Sequence, residues 1–290
     1  MKIRMQLSNI MNLKYITKTL SKTLILALVF LLSSAQRSFD GPIDLWHWKL
    51  ELPNGYKASD WKLSNFQNDR FSIDFFHLDS EDNSLVMKAY PAEGTSKAKY
   101  TRCTLREQVQ AGSNDVNWTM KEGGVLQAEF KVDSISKNDK GQYHKTILFQ
   151  IDGRTTAKQT KQLGLSKPTS LPMIKVYWQD GYLKVVRKIL KDDGTAGDAL
   201  LSKSSWKEGD ARHSRTKIGF EKTRIRLEVK RGKVFIQIND EKPIVYRDLS
   251  TSQWYFENYF TAGNYLQSKE PNCYSSVKYY SLEVTHSGKK

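Results

Sequence analysis

Cysteine is almost absent from this 290-residue chain, which has only Cys103 and Cys273. Two separated cysteines are too few for a structural zinc site and exclude a disulfide-dense scaffold, leaving room for at most one bridge. The five histidines show no HExxH or comparable spacing, so no metal site is expected. Long apolar runs are also missing. The longest, Thr23 to Leu32, has ten residues, far short of the roughly 20 needed to span a bilayer. No glycine-rich phosphate loop is present, and no repeat, low-complexity tract or Pro/Gly/Ser linker interrupts residues 36–290, which argues for a single domain there. Helical periodicity is scarce, with short turns expected only around Ala58–Asn65 and Leu249–Trp254. Acidic residues are in deficit, 31 against 46 Lys and Arg, for a formal net charge of +15.

The first 35 residues account for part of that charge. Lys2, Arg4, Lys14, Lys18 and Lys22 precede the apolar run, and Ser33-Ser34-Ala35 offers small residues for cleavage before Gln36, the pattern of a secretory signal. Without those five cations the remainder still carries +10. A basic protein attracts polyanions. For an exported one, secreted or periplasmic, an acidic polysaccharide is a better expectation than nucleic acid. In an oxidising compartment the two cysteines become candidates for one disulfide.

What the chain has in quantity is short segments rich in β-branched and aromatic residues. They are Ser84–Tyr90, Gly124–Val132, Lys145–Ile151, Ile174–Trp178, Tyr182–Ile189, Arg224–Lys230, Lys233–Asn239 and Val277–Thr285. Most alternate in polarity between polar turn residues. Lys230-Arg231-Gly232-Lys233 reads as a hairpin turn with glycine in a left-handed position. The expected class is all-β, a jelly roll or concanavalin-like sandwich of two antiparallel sheets.

Three segments place polar groups on one strand face. In Tyr100–Val109, Arg102, Thr104, Arg106 and Gln108 alternate, with the two arginines about 13 Å apart along one strand face, an arrangement suited to carboxylates along a chain or to cross-strand ion pairs. In His144–Gly153, His144, Thr146, Leu148, Gln150 and Asp152 fall opposite Lys145, Ile147, Phe149 and Ile151. In Tyr255–Gln267, Tyr259, Thr261, Gly263, Tyr265 and Gln267 share a face, and Gly263 leaves space for a ligand. Each segment alone also fits an ordinary half-buried strand.

Together and in this order they resemble the signature of the alginate lyases of polysaccharide lyase family 7. That family carries an Arg-Ser/Thr-Glu-Leu/Val-Arg strand, a Gln-Ile/Val-His strand and a Tyr-Phe-Lys-Ala-Gly-x-Tyr-x-Gln strand. The matching residues here are Arg102–Arg106, Gln150-Ile151-Asp152 and Tyr259–Gln267, and Trp48–Pro53 looks like the family's opening. The motif's Glu, His and Lys are replaced by Thr104, Asp152 and Thr261. The resemblance implies a concave substrate groove on one sheet, β-elimination on an anionic polysaccharide, no cofactor and no partner beyond the substrate, in a chain expected to act as a monomer. It assigns catalysis to Tyr265, Gln150 and Arg106, with Asp152 in the site, and substrate binding to Arg102, Thr104, Thr261 and Gln267.

β-Elimination requires stabilisation of charge developing on the substrate carboxylate, a base for the C5 proton and an acid for O4. Arg106 and Gln150 suit the first. Tyr265 suits both others when C5–H and O4 lie on the same side of the sugar. Loss of the motif's histidine therefore leans the expected substrate from guluronate toward mannuronate, with glucuronan or another uronan as an alternative. A non-catalytic lectin-like module and a lyase of sulfated glycosaminoglycan are the competing readings. Asn117-Trp118-Thr119 is a glycosylation sequon, and Trp46, Trp48, Trp118, Trp178 and Trp254 are candidates for sugar stacking or for the core.

Overall fold

The computed structural model describes residues 43–52, 74–91 and 100–286. All of them belong to one compact unit, Phe39–Lys290. The leader expected at 1–35 and the helical turn expected around 58–65 lie outside the described residues.

In chain order the strands begin with β1 (Trp48–Glu51), β2 (Phe76–Leu78), β3 (Leu85–Ala89), β4 (Arg102–Glu107) and β5 (Gly124–Ile135). They continue with β6 (Thr146–Arg154), β7 (Ser170–Gln179), β8 (Tyr182–Leu190), β9 (Trp206–Glu208) and β10 (Arg212–His213). The last five are β11 (Thr223–Lys230), β12 (Lys233–Ile238), β13 (Ile244–Tyr246), β14 (Glu257–Leu266) and β15 (Ser275–Thr285). Among the described residues two short α-helices intervene, α1 (Ala157–Gln162) and α2 (Leu249–Ser252). No helix among the described residues is long and apolar enough to cross a membrane.

The strands form two antiparallel sheets. The front sheet runs β1-β4-β14-β6-β7-β8-β10, with β9 also on β8, and the back sheet runs β13-β12-β11-β5-β15-β3-β2. All eight expected segments are strands, and the expected all-β sandwich of two antiparallel sheets is the observed architecture. Alternation explains why. In β11, Thr223, Ile225, Leu227 and Val229 are buried while the residues between them reach solvent or half-bury, and β5 repeats the pattern through Leu126, Ala128, Phe130 and Val132. Each such large apolar side chain contributes about 1.5–3 kcal/mol on burial. The two sheets meet where Phe130 of β5 packs edge-on against Phe149 of β6, with ring centroids 5.1 Å apart.

The turn at Lys230–Lys233 is a hairpin, but Arg231 (φ 51°) as well as Gly232 (φ 73°) is left-handed, the two-residue geometry that matches strand twist. Helix α2 occupies the predicted turn, whereas α1 was not predicted. Its signal is a capping box, in which the Thr156 hydroxyl accepts from the Gln159 N–H while the Gln159 side chain accepts from the Thr156 N–H. The cysteines form no disulfide. Both are buried free thiols, Cys103 facing inward from β4 and donating to the Phe75 carbonyl at 3.2 Å, and burial pushes both thiols up from the ordinary value. Of the tryptophans considered for stacking, Trp48, Trp118, Trp178 and Trp254 are core residues and only Trp46 is exposed.

Candidate active site

Strand register brings the three polar segments onto one face. Strands β4, β14 and β6 are neighbours in the front sheet, and Arg106, Thr261, Gln150 and Lys175 are successive cross-strand partners through to β7. A second row contains Arg102, Tyr265, Ile147 and Tyr177. Tyr259 lies beside Asp152, and Gly263 beside Thr104. With strands roughly 4.8 Å apart, this spans a few sugar-sized steps.

Between the two rows the register shifts. Gly263 and Asn264 of β14 face the single residue Leu148 of β6, and Leu148 is also the extra residue against β7. The alternation expected for β6 therefore holds at Phe149 to Asp152 but reverses before it. Leu148 enters the core, and Ile147 turns outward against Tyr177, Val186 and Tyr265. The Tyr279 hydroxyl from the back sheet sits 2.8 Å from the Gly263 carbonyl and 3.2 Å from that of Leu148, serving groups the bulge removes from the regular ladder. Gly263 has φ 148°, and a Cβ there would lie 2.5 Å from the Cys103 carbonyl oxygen and 2.6 Å from Thr104 Cα. The glycine is required by close approach of β4, not by space for a ligand.

Asp152 sits beside Tyr259, past the row of Thr261 and Gln150. Its carboxylate accepts from the Thr261 hydroxyl at 2.8 Å and the Gln150 amide at 3.2 Å, and it forms no ion pair with Arg102 or Arg106. Burial pushes its pKa from 3.8 up to about 6, against the lowering effect of the Thr261 hydrogen bond. The folded state therefore binds the Asp152 proton more tightly than the unfolded state, and stability falls as pH rises from about 4 to about 6. A shift from 3.8 to about 6 corresponds to on the order of 3 kcal/mol. Asp152→Asn should remove that slope, making the variant more stable relative to the parent at pH 7.5 than at pH 4 in urea denaturation. An unchanged difference between the two pH values would contradict this assignment.

The two arginines are used differently. Arg106 is buried, with its guanidinium 3.9 Å from the Tyr259 ring centroid. Its terminal nitrogens donate to the Glu107 carbonyl, the Asn114 side chain and carbonyl, and Asn117 Oδ1, at 2.9–3.1 Å. Both of its NH2 groups are thus spent on the loop that follows β4, and burial lowers its pKa. Gln108 joins the same loop by donating to Asn114. Asn117, the sequon asparagine, is buried as an acceptor for Arg106. Arg102, by contrast, keeps 38% of its side chain exposed, pairs with Glu51 at 3.1 Å and lies 5.5 Å from the Tyr265 ring centroid. Burial works against its charge more than any single neighbour favours it, but Glu51, Tyr265, Asp152 and Tyr259 together hold its pKa above the ordinary value. Thr104 donates to the same Glu51 carboxylate at 3.4 Å.

Of the predicted residues, Arg102, Thr104, Arg106, Gln150, Asp152, Thr261 and Tyr265 gather on this face. Gln267 lies just past β14, and its side-chain amide donates to the Tyr265 carbonyl. His144 pairs with Glu270 at 3.4 Å. Three neighbours were missed. Lys175 and Tyr177 face outward on β7, Lys175 donating to Glu208 at 2.7 Å, and their alternation with Ile174, Val176 and Trp178 was visible in the sequence. Burial raises the Tyr177 pKa. Glu51 is beside Arg102 only because β1 pairs with β4, for which no local signal exists. Among the described residues no group of three or more His, Cys, Asp or Glu could hold a metal ion.

Comparison with known proteins bears on the identity of this face. A family model described as alginate lyase matches residues 43–286. A crystal structure of an alginate lyase of polysaccharide lyase family 7 is 22% identical with a TM-score of 0.63, covering 84% of this chain and 96% of that one. A variant of that relative has been crystallised in complex with a substrate, GGMG. The alginate lyase from Klebsiella pneumoniae is 20% identical with a TM-score of 0.58, over 85% of this chain and 97% of that one. One from Pseudomonas aeruginosa is 18% identical with a TM-score of 0.59, over 84% and 99%. At these identities the likeness to solved structures is one of fold. A comparison with curated protein sequences finds no match.

Proposed function

The chain belongs to the alginate lyase family, and on that premise we propose that it cleaves alginate by β-elimination at Tyr265, with a preference for mannuronate. The observation that carries this reading is the second row of the front sheet, where the Arg102 guanidinium lies over the Tyr265 ring, next to the row that holds Gln150. Tyr265 takes the C5 proton of the uronate. The electron pair left at C5 is delocalised into the carboxylate and then forms the C4–C5 double bond as the C4–O4 bond breaks. The same phenol returns a proton to the departing O4. Arg102 places a permanent positive charge where negative charge develops during the first transfer, and the Gln150 amide is a preorganised donor toward the carboxylate.

Arg106 contributes by fixing Tyr259 and the loop after β4, since its terminal nitrogens are occupied by Asn114, Asn117 and Glu107. The preference for mannuronate rests on Asp152. A separate base on the opposite face of the sugar is needed when C5–H and O4 are anti, as in guluronate. No imidazole stands beside Tyr265 in the strand register, for His144 is held by Glu270 and His213 lies on β10. Export in the sense expected from residues 1–35 completes the reading, because the polymer is too large to meet the enzyme elsewhere.

Incubation with polymannuronate, polyguluronate and glucuronan, followed by ultraviolet absorbance of the unsaturated uronate, tests the proposal. A rise on polymannuronate faster than on polyguluronate is expected. Binding without any rise would identify a lectin-like module instead. Asp152→His should increase the rate on polyguluronate relative to polymannuronate, on the order of tenfold or more for a general base regained. An unchanged ratio would remove Asp152 as the source of the preference.

A further inference from the structure

We propose that Glu51, on the edge strand β1, is a positioning residue that holds Arg102 over Tyr265, an inference that rests on the assignment of Tyr265 as the proton-transferring group. Three contacts form a chain across β1, β4 and β14. Glu51 Oε2 lies 3.1 Å from Arg102 Nη2, and the Arg102 guanidinium carbon lies 5.5 Å from the Tyr265 ring centroid. Arg102 and Tyr265 are direct cross-strand partners, as are Glu51 and Thr104. The Thr104 hydroxyl donates to the same Glu51 oxygen at 3.4 Å, so the carboxylate is tethered from the strand on which Arg102 stands.

The need for such a tether follows from the side chain it holds. Arg102 is the more exposed of the two site arginines, with 38% of its side chain open, whereas the terminal nitrogens of Arg106 are held by Glu107, Asn114 and Asn117. An arginine at the surface samples many rotamers and swings into water unless a charged partner restrains it. Glu51 supplies that restraint, and it also balances the positive charge so that Arg102 serves the phenol rather than drifting to whichever substrate carboxylate arrives first. A misplacement of a charge by an ångström at a reacting centre costs on the order of 100-fold in rate.

The register offers a test that separates positioning from general stability. Because Glu51 and Thr104 face each other, the carboxylate can be moved across the strand pair by exchanging the two residues. Glu51→Gln should lower kcat by roughly 10- to 100-fold with little change in KM. Arg102→Gln should do the same, and the double variant Glu51→Gln with Arg102→Gln should be no worse than Arg102→Gln alone, since both act through one group. The exchange Glu51→Thr with Thr104→Glu should restore at least a third of the parental kcat. Full activity of Glu51→Gln while Tyr265→Phe is inactive would overturn the role of Glu51 and leave Tyr265 standing. Multiplicative losses in the double variant, or an exchange variant that folds by circular dichroism yet stays as slow as Glu51→Gln, would overturn it equally. Should Glu51→Gln fail to fold, the exchange variant alone decides between the two outcomes. An active Tyr265→Phe would instead remove the premise.

Discussion

Tyr265→Phe is expected to abolish turnover of polymannuronate, with a loss on the order of 1000-fold or more, while oligosaccharide binding stays within a few-fold of the parent. The magnitude follows from one group acting twice. General acid–base catalysis contributes roughly 100- to 10,000-fold, and here the same phenol would serve first as base and then as acid. The substitution is also conservative where it needs to be. The ring of Tyr265 packs against the cluster of Ile147, Tyr177 and Val186, and phenylalanine preserves that packing. Loss of activity can therefore be separated from loss of fold by a thermal melt on the same preparation, which should match the parent within a few degrees. Retention of more than a tenth of the activity would transfer the proton chemistry to another residue. Tyr177 would be the first to examine, since it faces the same cluster and keeps its proton more firmly through burial.

The largest expected effect on stability lies one residue from the site, at Asn264. Its side chain is completely buried and joins both sheets from beneath the bulge. Nδ2 donates to the Met87 carbonyl of β3 at 2.9 Å and to the Ser275 carbonyl of β15 at 2.8 Å. Oδ1 accepts from the Thr146 hydroxyl of β6 at 2.7 Å and from the Ser275 hydroxyl at 2.6 Å. Asn264→Ala would strand two carbonyls and two hydroxyls out of reach of water and leave a cavity between the sheets. Each buried group left unmatched costs about 1–3 kcal/mol, so a total of roughly 4 kcal/mol is expected after partial relaxation. In a domain of this size that is about 10 °C in Tm, measurable by calorimetry or urea denaturation. Ser275→Ala should cost less, because the asparagine keeps its two carbonyl partners and the Thr146 hydroxyl. A loss under about 1 kcal/mol for Asn264→Ala would mean that solvent enters the site and satisfies these groups.

Asn264 and Gly263 also show where reading strands one at a time stops. Alternation along β4 correctly set Arg102, Thr104 and Arg106 against Cys103 and Leu105, and along β14 it set Tyr259, Thr261 and Tyr265 against Phe260, Ala262 and Leu266. In β6 the same rule succeeded for Gln150 and Asp152 and failed for Ile147 and Leu148. The failure has a physical cause. A bulge is a mismatch between two strands, so it leaves no mark in the period of either until the partner and register are known. Gly263 was noticed and its reason misread, because a close approach of β4 looks, in one strand, the same as an opening for a ligand.

Charge followed the same division. The excess of Lys and Arg and the identities of Arg102 and Arg106 were open to view in the chain, and with them the expectation of an anionic polymer. Which arginine is free to act was not. Arg106 is taken up by Asn114 and Asn117 on the loop after its own strand, while Arg102 meets Glu51 from a strand more than 50 residues earlier. By itself, then, the sequence determined the strands, the faces of β4 and β14, and the side chains that β4, β6 and β14 bring to the site. All of these depend on a two-residue period that is local. The tertiary structure decided which of those side chains touch, which are spent on scaffolding, and that Asp152 is buried deeply enough to hold a proton near pH 6. Those outcomes depend on cross-strand register and desolvation, and both arise only when segments distant in the chain are brought together.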